Sequence, residues 1–398
     1  MNICITNLDF NPQFIGGIKR VSSILAKEWI KECNVYFLAF SPKDNQVKNI
    51  EGIPQYHFPI PEDILARENV DYFTTFVREN KIDIILHQHS DNAQFTELCI
   101  RVSRNENVKL VTTLHFAVTH KNDIAKKALF IKYKLGKSPI AWIKDFILFV
   151  KFHLYTKHKN TREDNLVYRS LIEHSSKLVL LSPTFIPILA KQSNLNNSQL
   201  KKITAISNPL EIQEHKVTEK KKKVLWCGRV EYGIKRVDRM LDVWKSIAPR
   251  HPDWELRIMG SGNIEYFKNI TRQYNIPNVY FTGFCNPYEY YKDSSILCMT
   301  SSTEGWGMVL IEAQMFGCIP IVYNSFDSLQ EIITDKVNGY IVPAFNKEKF
   351  AECLEWLMDN EDERNKMIEE CQKSVKRFDV NIIAQQWMNL FNEVIQEK

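Results

Sequence analysis

At 398 residues the chain is too long for one ordinary hydrophobic core and points to two domains, and its 44% hydrophobic and 25% charged content is globular. Nine scattered cysteines, with no C-x-x-C spacing and no paired Cys/His cluster, exclude a disulfide framework and a zinc site and read as reduced thiols of a cytosolic protein. The net charge of +5 is uneven: residues 121–160 carry ten lysines against Asp123 and Asp145, a local +8 that leaves the remainder near −3.

The chain opens on a strand, Ile3–Asn7, with no basic leader region or cleavage signature, so the N-terminus does not read as a signal peptide. A loop of eight residues follows, then Gly16-Gly17 at a helix start, where backbone N–H groups could meet a phosphate. No G-x-G-x-x-G follows the strand, which argues against a dinucleotide dehydrogenase. Further short, β-rich runs at Val35–Phe40, Ile82–His87, Leu110–Leu114 and Lys177–Leu181 alternate with helical patterns, as buried parallel strands with crossover helices do. His115 ends the fourth of these strands, with His89 and His120 nearby; a lone histidine at a strand end is by itself a structural residue.

Ser207-Asn208-Pro209 and the polar stretch after it mark a boundary, since proline disfavours helix at the preceding residue. The rhythm then repeats. Strands are expected at Val224–Cys227, Leu256–Met259, Val279–Thr282, Ile296–Thr300 and Pro320–Tyr323, and helices at Val237–Ile247, Ile264–Tyr274 and Val309–Phe316. A charged helical stretch spans Asn346–Lys376, and an amphipathic helix, Ile382–Val394, closes the chain. The fold class is therefore α/β, with two doubly wound Rossmann-like halves and ligands expected at the C-terminal ends of the strands.

Several of those strand ends carry chemistry. Gly228-Arg229, with Lys235 six residues after the arginine, offers a bidentate fork and a point charge for a diphosphate. Neutralising a leaving diphosphate in this way would assist departure without a metal. Gly260, in Met259-Gly260-Ser261-Gly262, and Gly283, before Phe284 and Cys285, are candidate close-approach positions. Most informative is Ser301-Ser302-Thr303-Glu304-Gly305-Trp306-Gly307-Met308-Val309-Leu310-Ile311-Glu312-Ala313, which an apolar strand feeds directly. A helix N-terminus offers unpaired N–H groups and a positive dipole end to a phosphate, and Gly305 and Gly307 allow close approach. Glu304 precedes the helix and Glu312 lies two turns in, each able to accept from a hydroxyl pair. Two carboxylates bracketing a phosphate site suit a sugar nucleotide, with a polyol at each end of its diphosphate.

This segment resembles the E-x7-E donor motif of retaining glycosyltransferases with the GT-B fold, and the chain is similar to glycosyltransferase family 4. The resemblance implies two Rossmann-like domains facing a cleft: residues 1–207 on the acceptor side, joined by the final helix 379–398, and 208–378 binding the nucleotide sugar. It implies catalytic roles for Glu304, Arg229, Lys235 and His115. Donor contacts would come from Gly16, Gly17, Gly228, Gly260, Phe284, Cys285, Gly305, Trp306, Gly307, Met308 and Glu312, with the base touched through the backbone at Phe284 and Cys285. The family often has a glycine after the lysine, where this chain has Arg236. The reaction implied is hexosyl transfer from a nucleoside-diphosphate sugar, UDP ahead of GDP, by front-face displacement, needing neither cofactor nor metal. The acceptor would be a lipid-linked or growing saccharide of bacterial surface polysaccharide. The lysine- and aromatic-rich residues 121–160 are too interrupted to span a bilayer but suit an anionic membrane surface, which gives a peripheral protein on the inner face of the cytoplasmic membrane. No nucleic-acid motif accompanies the basic stretch. Two other readings keep the fold: a sugar-nucleotide epimerase, and a glycan-binding scaffold without catalysis.

Overall fold

A computed structural model describes residues 1–9, 17–40, 49–118, 165–213 and 219–397. The chain divides into two compact units. Among the described residues the first unit holds those up to Glu211 and again from Phe378 onward, and the second holds Ile212–Arg377.

In the first unit, β1 (Asn2–Asn7), β2 (Asn34–Ala39), β3 (Asn49–Ile50), β4 (Ile53–His57), β5 (Ile84–His87), β6 (Lys109–Leu114), β7 (Lys177–Leu180) and β8 (Ile203–Ala205) form one sheet. Its order is β3-β4-β2-β1-β5-β6-β7-β8, and all pairings are parallel except the β3–β4 hairpin. The central strands are buried along their length, Ile3, Cys4 and Ile5 in β1 and Ile84, Ile85 and Leu86 in β5, because helices cover the sheet. These are α1 (Gly17–Trp29), α2 (Arg67–Glu79), α3 (Ala93–Glu106), α4 (165–174) and α5 (Phe185–Ser193). Asn92 caps α3 by accepting from the Phe95 N–H at 3.0 Å, and Asn107 ends it in the left-handed conformation.

The second unit contains β9 (Lys221–Cys227), β10 (Glu255–Met259), β11 (Val279–Gly283), β12 (Ser294–Met299), β13 (Ile319–Tyr323) and β14 (Tyr340–Val342). They form an all-parallel sheet in the order β11-β10-β9-β12-β13-β14. The strand order reverses between β9 and β12, and ligands of doubly wound sheets bind in the crevice at such a point. The helices are α6 (Val237–Ile247), α7 (Ile264–Gln273), α8 (Tyr288–Asp293), α9 (Met308–Met315), α10 (Lys347–Asp359) and α11 (Glu361–Val375). Trp226, Trp244 and Trp254 anchor the core. The Lys220 ammonium donates to the carbonyls of Tyr291 (2.8 Å), Lys292 (2.9 Å) and Phe316 (2.7 Å), satisfying the carbonyl ends of α8 and α9 together. The stretch 346–376, expected as one helical run, is broken at Asn360. There the Arg364 guanidinium caps the last carbonyls of α10, at Leu357 and, at 2.9 Å, Met358.

The chain then returns to the first unit. Leu210 N–H donates to the Phe378 carbonyl (2.7 Å) and Val380 N–H to the Leu210 carbonyl (3.0 Å), just before α12 (Val380–Gln396) begins. Helix α12 packs on α1: the Trp29 ring lies 6.0 Å from Trp387 and 5.2 Å from Phe391, both edge-on. Lys177 Nζ holds its far end, at 2.6 Å from Glu393 and 3.0 Å from Glu397. Among the described residues no helix is long and apolar enough to cross a membrane. The basic stretch 121–160 lies outside the described residues.

Candidate active site

The reversal point of the second sheet gathers the loop after β9, which carries Gly228, Arg229 and Lys235, and the loop after β12, which carries Glu304. Thr300 joins them. Its hydroxyl accepts from Trp226 Nε1 (2.9 Å) and donates to the Arg236 carbonyl (2.9 Å). Ser302 N–H donates to the Ile234 carbonyl (2.7 Å), a second tie between the loops. Arg239 donates to the Thr300 carbonyl (3.2 Å) while its guanidinium lies 3.8 Å over the Phe345 ring. Burial and the neighbouring Arg236 bring Arg239 down to about 9. Arg236 itself turns in the left-handed conformation, φ 56°, and pairs with Asp238 at 2.7 Å.

On this scaffold Lys235 Nζ meets Glu304 Oε1 at 2.6 Å, both side chains largely sheltered. The Lys235 stem lies across Gly228, where an added Cβ would stand 3.4 Å from Lys235 Cγ and Cδ. Arg229 is exposed and, among the described residues, makes no hydrogen bond or ion pair. The hydroxyls of Ser302 and Thr303, beside Glu304, are buried and have no hydrogen-bond partner among the described residues. Gly307 caps α9 at φ 101°, no side chain caps the helix, and its first turn holds no acidic residue. The Leu310 N–H donates to the Gly307 carbonyl at 2.9 Å, and no side chain competes with a ligand for the remaining N–H groups of the helix start. Trp306 is buried, Met308 half-buried, and the Gly305 carbonyl accepts from Ser328 Oγ at 3.0 Å.

Glu312 sits one turn into α9, not two, because the helix starts at Met308. It is 3% exposed, and its Oε2 accepts from the Tyr291 hydroxyl at 3.1 Å. Gly260 has a packing reason for being glycine: at φ 137° its Cβ would stand 1.8 Å from the Gly228 carbonyl oxygen. What approaches it is the neighbouring loop. Phe284 is 62% exposed, and Cys285 Sγ lies 3.8 Å from Thr282 Oγ1. All nine cysteines are free.

In the first unit the strand order reverses between β1 and β5, and polar groups gather at the ends of β1, β5 and β6. His115 Nε2 meets Gln88 Oε1 at 2.5 Å, His89 Nε2 meets Asn7 Oδ1, and His89 Nδ1 lies 3.5 Å from Asp91. Desolvation, with His89 adding repulsion, lowers His115 to about 3, so its imidazole is neutral near pH 7. Gly17 opens α1 with no atom near its Cβ position, and Gly16 and His120 lie outside the described residues. Thr300, Tyr291, Asn7 and Gln88 carry no sequence signal: each matters through a partner on a distant strand.

Residues 207–374 match the family model for glycosyl transferases group 1. An uncharacterized glycosyltransferase of Haemophilus influenzae is 28% identical over 218 residues, 54% of this chain and 60% of that protein. The amylovoran biosynthesis glycosyltransferase AmsD of Erwinia amylovora is 29% identical over 176 residues, 44% of this chain and 49% of its own. The chain thus spans only about half the length of these relatives. The structure of Anabaena HepE in complex with UDP-glucose superposes with a TM-score of 0.74 at 16% identity, covering 99% of this chain and 100% of that one. The described residues therefore have the GT-B fold, and the segment 207–374 matches the family model for glycosyl transferases group 1.

Proposed function

We propose that this protein is a retaining glycosyltransferase of family 4 type. It moves a hexosyl group from a nucleoside-diphosphate sugar, UDP ahead of GDP, to a lipid-linked or growing saccharide acceptor of bacterial surface polysaccharide. The carrying observation is the Lys235–Glu304 contact at the sheet's reversal point, beside the uncapped start of α9 and an unpartnered Arg229. Arg229, Lys235 and the helix N–H groups would take the diphosphate, Glu304 the sugar hydroxyls, and Glu312 the ribose. His115 would hydrogen-bond sugar or phosphate as a neutral imidazole. In front-face displacement the bond from the anomeric carbon to the phosphate oxygen breaks as the acceptor oxygen bonds the same face, and that phosphate oxygen takes the acceptor proton. The two cations stabilise the charge that develops on the leaving diphosphate. The relatives support this reading: the Erwinia protein is an amylovoran biosynthesis glycosyltransferase, and the Anabaena structure holds UDP-glucose.

Thermal-shift titration against UDP, GDP, ADP and NAD tests the donor class, because a ligand of the native state raises its stability with concentration. UDP-selective stabilisation is expected, and stabilisation by NAD alone or by no nucleotide would defeat the proposal. Joint Arg229→Ala and Lys235→Ala should remove UDP affinity and turnover together, and unchanged turnover would sink the assignment. An epimerase would consume the donor with no acceptor present, and a silent scaffold would not consume it at all. Attachment of residues 121–160 to membranes is tested by liposome flotation, with anionic vesicles expected to bind and equal binding to neutral ones counting against it.

A further inference from the structure

Glu312 is a carboxylate inside a protein, and a buried charge is costly unless hydrogen bonds hold it. The Tyr291 hydroxyl supplies one at 3.1 Å. Tyr291 is fully buried, its ring stacked 6.3 Å from Phe316, and Lys220 pins its backbone carbonyl at 2.8 Å. Behind it stands Cys227, which ends β9 one residue before Gly228, its thiol 3.9 Å from Met259 Sδ and its field acting on the Tyr291 phenol. Burial pushes the Cys227 thiol up to about 12 and the Tyr291 phenol well above its ordinary value, so both keep their protons. The direction of donation to the carboxylate is then fixed: tyrosine O–H to Glu312 Oε2. The rigid ring fixes one carboxylate oxygen and with it the plane of the other. A carboxylate with a set plane can accept from two vicinal hydroxyls at once, where a freely turning one accepts from whichever is present.

We infer that Tyr291 is a positioning residue for nucleoside recognition: through Glu312 it makes the site demand a ribose with both its 2′- and 3′-hydroxyls. This rests on the proposed reading of Glu312 as the ribose ligand. It assigns Tyr291 to specificity, where a purely structural tyrosine would affect stability alone.

The test is calorimetric titration of the full chain with UDP, 2′-deoxy-UDP and 3′-deoxy-UDP. Losing a hydrogen bond to a charged acceptor should weaken binding of each deoxy analogue by about 10- to 100-fold. Tyr291→Phe keeps the ring and is expected to bring the three ligands within about threefold of one another, chiefly by weakening UDP. Glu312→Gln should do the same, and the double variant should show no further loss, because both act on one contact. Should Tyr291→Phe fail to fold, Glu312→Gln alone carries the test, and a folded Glu312→Gln protein that keeps full discrimination overturns the inference. Full discrimination in a folded Tyr291→Phe protein, or equal binding of UDP and both analogues by the native protein, overturns the inference and leaves the donor assignment standing. Failure of the native protein to bind any of the three defeats the donor assignment first and the inference with it.

Discussion

Thr300→Val is the sharpest test of how the candidate site is built. Valine matches the shape of threonine and suits a strand end, so the change removes a hydroxyl and little else. Thr300 is fully buried and Trp226 is 2% exposed. Without Oγ1, the indole N–H that donates at 2.9 Å has no acceptor, and the Arg236 carbonyl loses its 2.9 Å donor. The indole N–H left unsatisfied costs about 1–3 kcal/mol, while the Arg236 carbonyl keeps the Arg239 N–H at 3.1 Å. For a unit of this size that cost is a fall of roughly 2–12 °C in the melting transition. Differential scanning calorimetry of the full chain, following the transition that UDP shifts, reads it directly. Thr300→Ser keeps the hydroxyl and should lose only about 1 kcal/mol for its missing methyl. A Thr300→Val protein melting within ~1 °C of the native one would refute the claim that this hydroxyl ties the loop of Lys235 to that of Glu304.

Other perturbations separate further parts of the argument. Gly260→Ala should cost more than ~4 kcal/mol by urea denaturation, because its Cβ would stand 1.8 Å from the Gly228 carbonyl at φ 137°. Gly283→Ala, at φ 74° with nothing near the Cβ, should cost only about 1–2 kcal/mol, and equal losses would remove the packing explanation. His87 is fully buried, hydrogen-bonded to Thr6 and Thr96, and lowered by desolvation to about 3 against an ordinary 6.5. The unfolded chain therefore binds the extra proton between pH 6.5 and 3, and stability present above pH 6.5 is lost as pH falls through that window. Between pH 7 and 5 this group should account for about 2 kcal/mol of lost stability, and a His87→Gln variant should show a correspondingly flatter pH slope. An unchanged slope would contradict it. Lys220→Met should lower the melting transition by several degrees, since three helix-end carbonyls lose their donor, and an unaltered transition would show that water replaces it.

The alternation of short apolar runs with helical patterns was enough to place ten strands, from Ile3–Asn7 to Pro320–Tyr323, and to predict a doubly wound α/β chain. It works because a parallel strand buried on both faces needs a continuous run of β-branched or aliphatic residues. That alternation misses β3, β8 and β14, which are two or three residues long, and β4, whose Ile-Pro-Gln-Tyr-His presents no continuous apolar run. It also reads 346–376 as one stretch, since the break at Asn360 is made by Arg364 reaching back to carbonyls rather than by a proline or glycine. Of the candidate site, the sequence by itself determined the residues whose chemistry is local: an acid and glycines at a helix start, and an arginine and a lysine on one loop. Only the tertiary structure decided that Lys235 meets Glu304, that Gly260 packs against the Gly228 carbonyl, and that Glu312 is buried against Tyr291. Those contacts join residues that are neighbours in space and not along the chain. They are set by strand order and loop packing, which no local pattern of residue types encodes.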